Sequence, residues 1–265
     1  MVRTFHHRDF AARAASVSVV IPTRECAATI AAIVETVLAL DVAEQVLVVD
    51  ADSADGTADL AAAAGATVVS ENALLPEFGP AIGKGDAMWR ALSVVRADNV
   101  LYLDGDSGDF GPHFVTGTLG PLLTVPGVEF VKAFYRRPFG DAPDGGGRVT
   151  ELTARPLLRR FWPALAGLHQ PLAGEMAASR ALLASLPFST GYAVETAMLL
   201  DVYARVGAHA IAQVDLDVRR NDHQSLRALT KMADEVLAAA CARLDLPGER
   251  PLERPPMAAV LAAAA

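Results

Sequence analysis

The chain has 265 residues, 52% of them hydrophobic, so it can bury a large core and is not mainly disordered. Its formal net charge of -8 excludes a protein that coats nucleic acid or an anionic membrane with its whole surface. The distant Cys26 and Cys241 provide neither a disulfide framework nor a zinc-ribbon spacing, which suits a cytoplasmic protein. The first residues lack the apolar core of a signal peptide, and no uncharged apolar run is long enough to span a membrane, so we expect neither feature.

The first half of the chain alternates predicted strands and helices. A polar leader over residues 1–15 contains His6 and His7, which we expect to be solvated. Buried strands are predicted at 17–22, 46–50, 67–70 and 100–103, and helices at 27–40, 58–64 and 84–95. This order is typical of an α/β fold with a doubly wound, mostly parallel sheet and helices on both faces.

The second half is more irregular. It predicts strands at 128–135 and 211–218, a Gly/Pro/Asp-rich loop at 140–147, and helices at 151–161, 178–185, 194–206 and 225–244. The Pro/Ala-rich residues 247–265 are expected to form a tail that docks on a neighbour or frays.

The most informative motif follows the strand at 100–103, which runs directly into Asp104-Gly105-Asp106. Open α/β sheets bind ligands at this end of their strands. No Lys or Arg lies beside the two carboxylates in sequence, and Mg²⁺ prefers one or two carboxylates together with substrate phosphates. Taken alone, the motif leaves open both a metal site and a capped turn, which is the commoner role of such a tripeptide.

Two common nucleotide-binding motifs are absent from the sequence. The first strand is followed by residues 22–26, which contain no glycine, so the dinucleotide fingerprint is lacking. Gly83-Lys84-Gly85-Asp86 has no hydroxyl residue after the lysine and no correctly placed leading glycine, which excludes a P-loop.

Several segments together carry a family resemblance. Val20-Ile21-Pro22, Val49-Asp50 with Ser53, Gly83-Lys84-Gly85 and Asp104-Gly105-Asp106 resemble the nucleotide-sugar half of GT-A glycosyltransferases. Residues 131–138, 145–152, 170–175 and 191–195 are similar to the glucosyl-3-phosphoglycerate synthases of actinobacteria, and the likeness runs from about 16 to 244. It implies one continuous GT-A domain, with a nucleotide-sugar-binding half at 16–135 and an acceptor-binding half at 136–246.

The resemblance implies a metal-dependent retaining glycosyltransferase that moves glucose from UDP-glucose to 3-phosphoglycerate with Mg²⁺ or Mn²⁺. It also implies a homodimer, with neither nucleic acid nor membrane as a partner. Two alternatives stay open: transfer of another sugar, such as mannose, or to another small anionic acceptor, and nucleotide-sugar binding without turnover.

By the same resemblance, Asp106 is the direct metal ligand, and Glu195 orients the sugar or acceptor and stabilises positive charge at the anomeric carbon. Lys84 contacts the donor nucleotide, and Asp104 faces the nucleoside. The residues implied to bind the donor are Pro22, Thr23, Glu25, Asp50, Ser53, Lys84, Asp104 and Gly105.

The segment around Gly147-Arg148-Val149-Thr150 is the candidate acceptor site. Its glycines expose backbone N–H groups, a predicted helix begins just after it, and an arginine can bind a phosphate or carboxylate with two hydrogen bonds. Gly147, Arg148, Thr150 and His223 are therefore predicted to bind the acceptor.

Two positions depart from the family pattern. Where the family usually has a metal-binding histidine after its late strand, ungapped matching places Asn221. Either His223 or Asp222 then completes the metal site, or the metal is held more weakly. Glu25-Cys26 replaces the family's acidic pair at the turn that faces the base, which leaves the base preference open.

Overall fold

The computed structural model describes residues 1–220 and 224–264. Its strands are β1 (Arg3–His6), β2 (Val17–Thr23), β3 (Gln45–Asp50), β4 (Thr67–Ser70), β5 (Asn99–Tyr102), β6 (Phe130–Arg136), β7 (Met176–Ser179), β8 (Phe188–Ser189), β9 (Ile211–Val218) and β10 (Glu253–Arg254). Its α-helices are α1 (Ile30–Ala39), α2 (Thr57–Ala63), α3 (Gly83–Ala91), α4 (Pro112–Thr124), α5 (Arg155–Phe161), α6 (Arg180–Ala184), α7 (Val194–Val206), α8 (Leu226–Arg243) and α9 (Met257–Ala263). In the described part of the chain, none of the helices combines the length and the apolar character needed to cross a bilayer.

Eight strands form one sheet in the order β1-β9-β6-β7-β5-β2-β3-β4. All neighbouring pairs are parallel except those of β7, which is antiparallel to both β5 and β6. The register pairs Thr23 with Asp50 and Val20 with Tyr102, so β2, β3 and β5 end at the same edge of the sheet. The segments that follow these strands are thereby brought together, as the predicted α/β fold requires.

Apolar side chains of the sheet fill two cores, one on each face. Val19 and Ile21 of β2 belong to the core that includes Phe114 of α4, whereas Val20 belongs to the core that includes Trp89 of α3. Successive strand residues point to opposite faces, so a continuous apolar strand needs helices on both sides. The prediction of helices on both faces is confirmed.

One predicted helix begins inside a strand of the structure. The sequence predicts a helix at 178–185, but Met176–Ser179 forms β7, and only Arg180–Ala184 is helical. The short Met-Ala-Ala-Ser segment pairs with β5 and β6, partners distant in sequence, and this pairing overrides its weak local preference. The Ser179 hydroxyl then caps α6 by accepting a hydrogen bond from the Leu182 N–H at 3.1 Å.

Helix α4 is not predicted from the sequence at all. It contains two glycines and an internal Pro121, which weaken the helical pattern. The glycines serve close packing: a Cβ at Gly120 would lie 2.1 Å from the Phe10 ring, and one at Gly117 would lie 2.7 Å from the Cβ of His7. The residues around β1 therefore pack directly onto the backbone of α4.

Both ends of the chain belong to the folded unit. β1 pairs in parallel with β9, so the leader supplies an edge strand, and β10 pairs with β8. The part of the tail that the structure describes, residues 247–264, therefore packs on the rest of the chain: Trp89 Nε1 donates to the Pro255 carbonyl at 2.7 Å, and Met257 is fully buried. The division into donor and acceptor halves stays a prediction.

The expectation that His6 and His7 are solvated is also wrong. His7 Nε2 lies 2.8 Å from Asp217 Oδ2, and its side chain is only 16% exposed. His6 Nε2 lies 3.3 Å from Asp217 Oδ1. Because β1 pairs with β9, both histidines are brought to the end of β9.

Replacing Arg254 should reveal how firmly the tail is attached. Its guanidinium donates two hydrogen bonds, at 2.9 and 2.7 Å, to the fully buried carboxylate of Asp86. Arg254→Ala leaves that carboxylate with Arg90 as its only guanidinium, so we expect the free energy of unfolding in urea to fall by about 3 kcal/mol. Arg250→Ala is the control, because Arg250 pairs with the exposed Asp245, and it should cost less than about 1 kcal/mol. Equal stabilities of the two variants would contradict the attachment.

Candidate active site

The candidate site lies at the carboxyl edge of the sheet, where Asp104 and Asp106 follow β5. Lys84 is the second residue of α3, and Glu195 is the second residue of α7, so two helix starts point into the same region. A Cβ at position 174 would lie 2.1 Å from Asp104 Oδ1. Position 174 must therefore be a glycine to leave room for the Asp104 carboxylate.

Lys84 joins the two predicted functional acids. Its Nζ lies 2.6 Å from Asp104 Oδ1 and 2.8 Å from Glu195 Oε1. Burial alone would lower the pKa of Lys84, but the two carboxylates outweigh it and raise the pKa above its usual range. The ammonium therefore stays charged and ties the aspartate loop to the start of α7.

Arg219 was given no role from the sequence, yet its guanidinium binds both aspartates. Nη1 lies 2.7 Å from Asp104 Oδ2, and Nη2 lies 2.6 Å from Asp106 Oδ1. The side chain is 4% exposed. Burial would raise the pKa of Asp104, but Lys84 and Arg219 overcome it and hold that pKa far below its usual range. The carboxylates have no Lys or Arg beside them in sequence, yet Lys84 and Arg219, both distant in sequence, lie against them in the structure.

A second buried layer supports Arg219. The same Nη1 donates to the Tyr135 hydroxyl and to Glu175 Oε1, each at 2.8 Å, and Tyr135 donates to Glu175 Oε2 at 2.9 Å. Burial, with the nearby charge of Asp104, raises the pKa of Glu175 although Arg219 opposes the shift. Tyr135 and Glu175 lie inside the segments that carry the family resemblance, but their contacts with Arg219 had no sequence signal.

The predicted donor residues at the ends of β2 and β3 are joined by a network of hydrogen bonds. Asp50 Oδ1 accepts from the hydroxyls of Thr23 at 2.8 Å and Ser53 at 2.7 Å. Ser53 Oγ accepts from the Glu25 N–H at 2.9 Å, and Glu25 Oε1 accepts from the Ala54 N–H at 2.8 Å. Pro22 lies in β2, paired with Val49. The structure thus brings these residues together beside Gly105, whose carbonyl accepts from the Thr29 hydroxyl at 2.5 Å.

The aspartates suit a hard divalent cation. Asp104 and Asp106 offer carboxylate oxygens, but the Arg219 guanidinium already lies against Asp104 Oδ2 and Asp106 Oδ1, so a cation would bind Asp106 Oδ2 or displace the guanidinium. Asp106 has a 62% exposed side chain, so it is the more accessible of the two. Oxygen ligands of this kind fit Mg²⁺ or Mn²⁺. The candidates for a third ligand, Asn221, Asp222 and His223, lie outside the described residues.

A cavity of about 230 Å³, which Tyr135 lines, contains part of the predicted acceptor site. Gly147 and Thr150 line it together with Tyr135, and Gly147 adopts φ +71°, a conformation that favours glycine. Arg148 does not line it: Nη2 donates to the Gln224 carbonyl at 2.6 Å, and the guanidinium lies over the Phe139 ring. An acceptor bound by Arg148 therefore requires that guanidinium to turn. The predicted contact of His223 with the acceptor lies outside the described residues.

Beneath the site, Lys132 should make stability depend on alkaline pH. Its side chain is fully buried and donates to the Ala173 carbonyl, and burial lowers the pKa of Lys132 from 10.5 to about 8. Between these values the unfolded chain keeps a proton that the folded chain has released. The contribution of Lys132 to the free energy of unfolding should therefore rise with pH there, by on the order of 3 kcal/mol. Cys26, whose pKa burial raises from 9.0 to about 11, acts in the opposite direction and should offset part of this rise above pH 9.

Urea unfolding between pH 7 and 10 would measure this effect. Lys132→Met should flatten the rise relative to the parent chain, whereas Lys231→Met, at an exposed lysine on α8, should leave it unchanged. Parallel curves for all three proteins would show that Lys132 releases no proton in this range.

The chain is similar to known proteins over most of its length. Residues 18–108 match the glycosyl transferase family 2 model. Glucosyl-3-phosphoglycerate synthase of Mycolicibacterium smegmatis is 45% identical over 234 residues, which cover 86% of this chain and 77% of that protein. This chain belongs to the glucosyl-3-phosphoglycerate synthase family. The predicted membership and the GT-A fold are confirmed.

Solved structures of the family extend the similarity to nearly the whole chain. Mannosyl-3-phosphoglycerate synthase of Rubrobacter xylanophilus has a TM-score of 0.91 and 46% identity, with 97% of each chain covered. Glucosyl-3-phosphoglycerate synthase of Mycobacterium tuberculosis, solved with Mn²⁺, UDP-glucose and phosphoglyceric acid, has a TM-score of 0.85 and 40% identity, with 93% of this chain and 91% of that chain covered. The family thus includes relatives named for two different sugars.

Proposed function

We propose that this chain transfers glucose from UDP-glucose to 3-phosphoglycerate and forms glucosyl-3-phosphoglycerate with the help of a divalent metal. The observation that carries the proposal is the position of Lys84, which links Asp104 of the metal-binding motif to Glu195 at 2.6 and 2.8 Å. One ammonium thereby fixes Asp104, the acid expected to face the nucleoside of the donor, relative to Glu195, the acid expected at the sugar or acceptor. The M. tuberculosis synthase solved with Mn²⁺, UDP-glucose and phosphoglyceric acid supports the choice of substrates.

In this proposal, each charged group has a defined task. Asp106, with Asp104 behind it, would hold the cation, which when bound neutralises the charge that develops on the departing diphosphate. Lys84 and Arg219 hold Asp104 ionised and in place. The carboxylate of Glu195 is only 7% exposed, so it is positioned to favour positive charge at the anomeric carbon in a site with little water.

We propose retention of the anomeric configuration, by attack on the face from which the diphosphate leaves. The bond from the anomeric carbon to the phosphate oxygen breaks, and a bond from that carbon to the acceptor hydroxyl oxygen forms. The hydroxyl proton passes to the departing phosphate oxygen, so Glu195 is not needed as a base. The anomeric proton coupling in the NMR spectrum of the product distinguishes retention from inversion.

Transfer of mannose is the second candidate, because a mannosyl-3-phosphoglycerate synthase is 46% identical to this chain. A matrix of UDP- and GDP-linked glucose and mannose against 3-phosphoglycerate and glycerol 3-phosphate, read by mass spectrometry, separates the candidates. Our proposal expects the highest kcat/KM for UDP-glucose with 3-phosphoglycerate. A preference for a mannose donor would favour the second candidate, and the absence of product in every pair would favour binding without turnover.

We also propose a cytoplasmic homodimer. Cys26 and Cys241 are both free thiols, as in a reducing compartment. Apolar side chains are exposed in the second half of the chain. Leu152, in a short π-helix over Thr150–Ala154, is 75% exposed, and Leu226 of α8 is 68% exposed. α8 packs against this π-helix, so the two leucines lie on neighbouring elements.

Replacing Leu152 and Leu226 with aspartate should abolish the dimer. We expect the double variant Leu152→Asp, Leu226→Asp to sediment as a monomer at concentrations where the parent chain is dimeric, because each buried carboxylate would lack a partner. Leu261→Asp, on the 41% exposed Leu261 of α9, is the control and should leave the dimer intact. A dimer that survives the double change would place the interface elsewhere.

A further inference from the structure

A cluster of histidines and an aspartate lies at the end of β9, outside the proposed active site. His6 and His7 come from the end of β1 and the turn after it, and Asp217 is the next-to-last residue of β9. One nitrogen from each ring and one oxygen of Asp217 all lie within 4.8 Å of one another. Among the described residues, no other three His, Cys, Asp or Glu side chains were found grouped in this way.

The spacing of the ligand atoms suits a transition metal. His6 Nε2 is 3.3 Å from Asp217 Oδ1, and His7 Nε2 is 2.8 Å from Asp217 Oδ2. Bonds of about 2.0–2.1 Å to a tetrahedral cation separate the ligand atoms by roughly 3.4 Å, so small shifts would bring these atoms to coordination distance. Two imidazoles and one carboxylate favour Zn²⁺ over Mg²⁺, which prefers oxygen ligands.

Strands β1 and β9 and helix α4 hold the cluster together. The Asp217 backbone has φ +68°, a left-handed conformation, and its N–H donates to Asp215 Oδ1 at 2.9 Å. Gly117 of α4 has no Cβ that would collide with His7, and the His113 ring lies 4.9 Å from the His7 ring. The histidines are therefore positioned by the sheet and by α4.

We propose that His6, His7 and Asp217 form a second metal site, for Zn²⁺ or a cation of similar chemistry, with water as the remaining ligand. The cation would bind at both Nε2 atoms, so the protons now shared with Asp217 must leave or move to Nδ1. His6 would give up the 3.2 Å hydrogen bond that its Nδ1 accepts from the Arg8 N–H. A cation at this site would connect the edge strand β1 to Asp217 of β9. Asp217 lies two residues before Arg219 in the chain.

The position of Arg8 predicts how a change at this residue would alter metal binding. Its Nη2 lies 3.0 Å from Asp217 Oδ2, and its side chain is 73% exposed. The guanidinium therefore competes with a cation for the same oxygen, and it is free to swing into solvent when a cation binds. Removing Arg8 should tighten metal binding, whereas removing His7 or Asp217 should abolish it.

Calorimetric titration with Zn²⁺ tests the proposal, with protein freed of metal and carrying Asp106→Asn to weaken the active-site metal position. Titration with Co²⁺, followed by its visible absorption, reports imidazole ligation. We expect one Zn²⁺ per chain, at least a tenfold loss of affinity in His7→Ala and in Asp217→Asn, and at least a twofold gain in Arg8→Ala. Circular dichroism verifies that each variant is folded, and Asp217→Asn keeps the shape of the side chain.

Three results would overturn the assignment. They are the absence of Zn²⁺ binding in the folded parent chain, binding that is indifferent to His7→Ala and Asp217→Asn, and equal or weaker binding in Arg8→Ala. Because the readout is metal binding and not sugar transfer, failure here leaves the proposed enzymatic function untouched.

Discussion

Asp106→Asn is expected to lower kcat for glucose transfer by at least about a hundredfold while the protein stays folded. The metal held by this carboxylate is expected to contribute several kcal/mol to the transition state, and each 1.4 kcal/mol corresponds to about tenfold in rate. The amide can still accept the hydrogen bond from Arg219, and Asp106 is 62% exposed, so we expect little change in stability. Initial rates at several Mn²⁺ concentrations measure the effect.

Asp245→Asn is the matched control for this change. Asp245 is 89% exposed and, like an asparagine at the same place, tolerates its positive φ of 55°. We expect it to retain the parent rate and metal dependence. An Asp106→Asn enzyme with the parent rate and parent metal dependence would show that the cation is held by other residues.

Arg219→Met is expected to damage both stability and activity. The guanidinium is the shared partner of Asp104 and Glu175, which lie 2.7 and 2.8 Å away, and both acids lie in the interior of the site. Removing one partner of buried ion pairs typically costs 3–5 kcal/mol, so we expect the free energy of unfolding to fall by about 3 kcal/mol. We expect kcat to fall by at least about a hundredfold below the melting temperature, because misplacement of catalytic groups by about 1 Å has this effect.

The neighbouring Arg220→Met provides the stability control. Arg220 is 74% exposed, and its guanidinium lies 3.9 Å from Asp109, so its loss should change the free energy of unfolding by less than about 1 kcal/mol. Urea denaturation of both variants and the parent gives the comparison. If Arg219→Met were as stable and as active as Arg220→Met, the buried guanidinium would have no organising role.

The elements predicted best from the sequence are those whose pattern is local. The strand at 211–218 and the helix at 194–206 match the structure to the residue, because each has a clear period and clear ends. β7 was missed because Met-Ala-Ala-Ser becomes a strand only through its pairing with β5 and β6. α4 was missed because its glycines and Pro121 weaken the helical pattern while serving contacts with distant residues.

The candidate site follows the same rule. Asp104, Lys84 and Glu195 were predicted through the family resemblance, and the structure brings all three together. Arg219 was not predicted, because its partners Asp104 and Asp106 lie 115 and 113 residues earlier in the chain. A charged residue directly after the buried strand β9 was the available signal, since a charge in such a place requires a partner.

From the sequence, two adjacent histidines in a polar leader, His6 and His7, indicate solvated side chains. Their partner Asp217 lies about 210 residues later in the chain, and only the parallel pairing of β1 with β9 brings it near. The sequence signal for this contact was therefore limited to the presence of two histidines in the leader.

The most direct test of the central claim is one reaction read by mass spectrometry. The protein, first treated with a chelator, is mixed with UDP-glucose and 3-phosphoglycerate, with and without Mn²⁺. We predict that UDP and a product with the mass of glucosyl-3-phosphoglycerate accumulate together, in equal amounts, only when Mn²⁺ is present. Release of UDP without that product, or no reaction of the folded protein in Mn²⁺, would contradict the account.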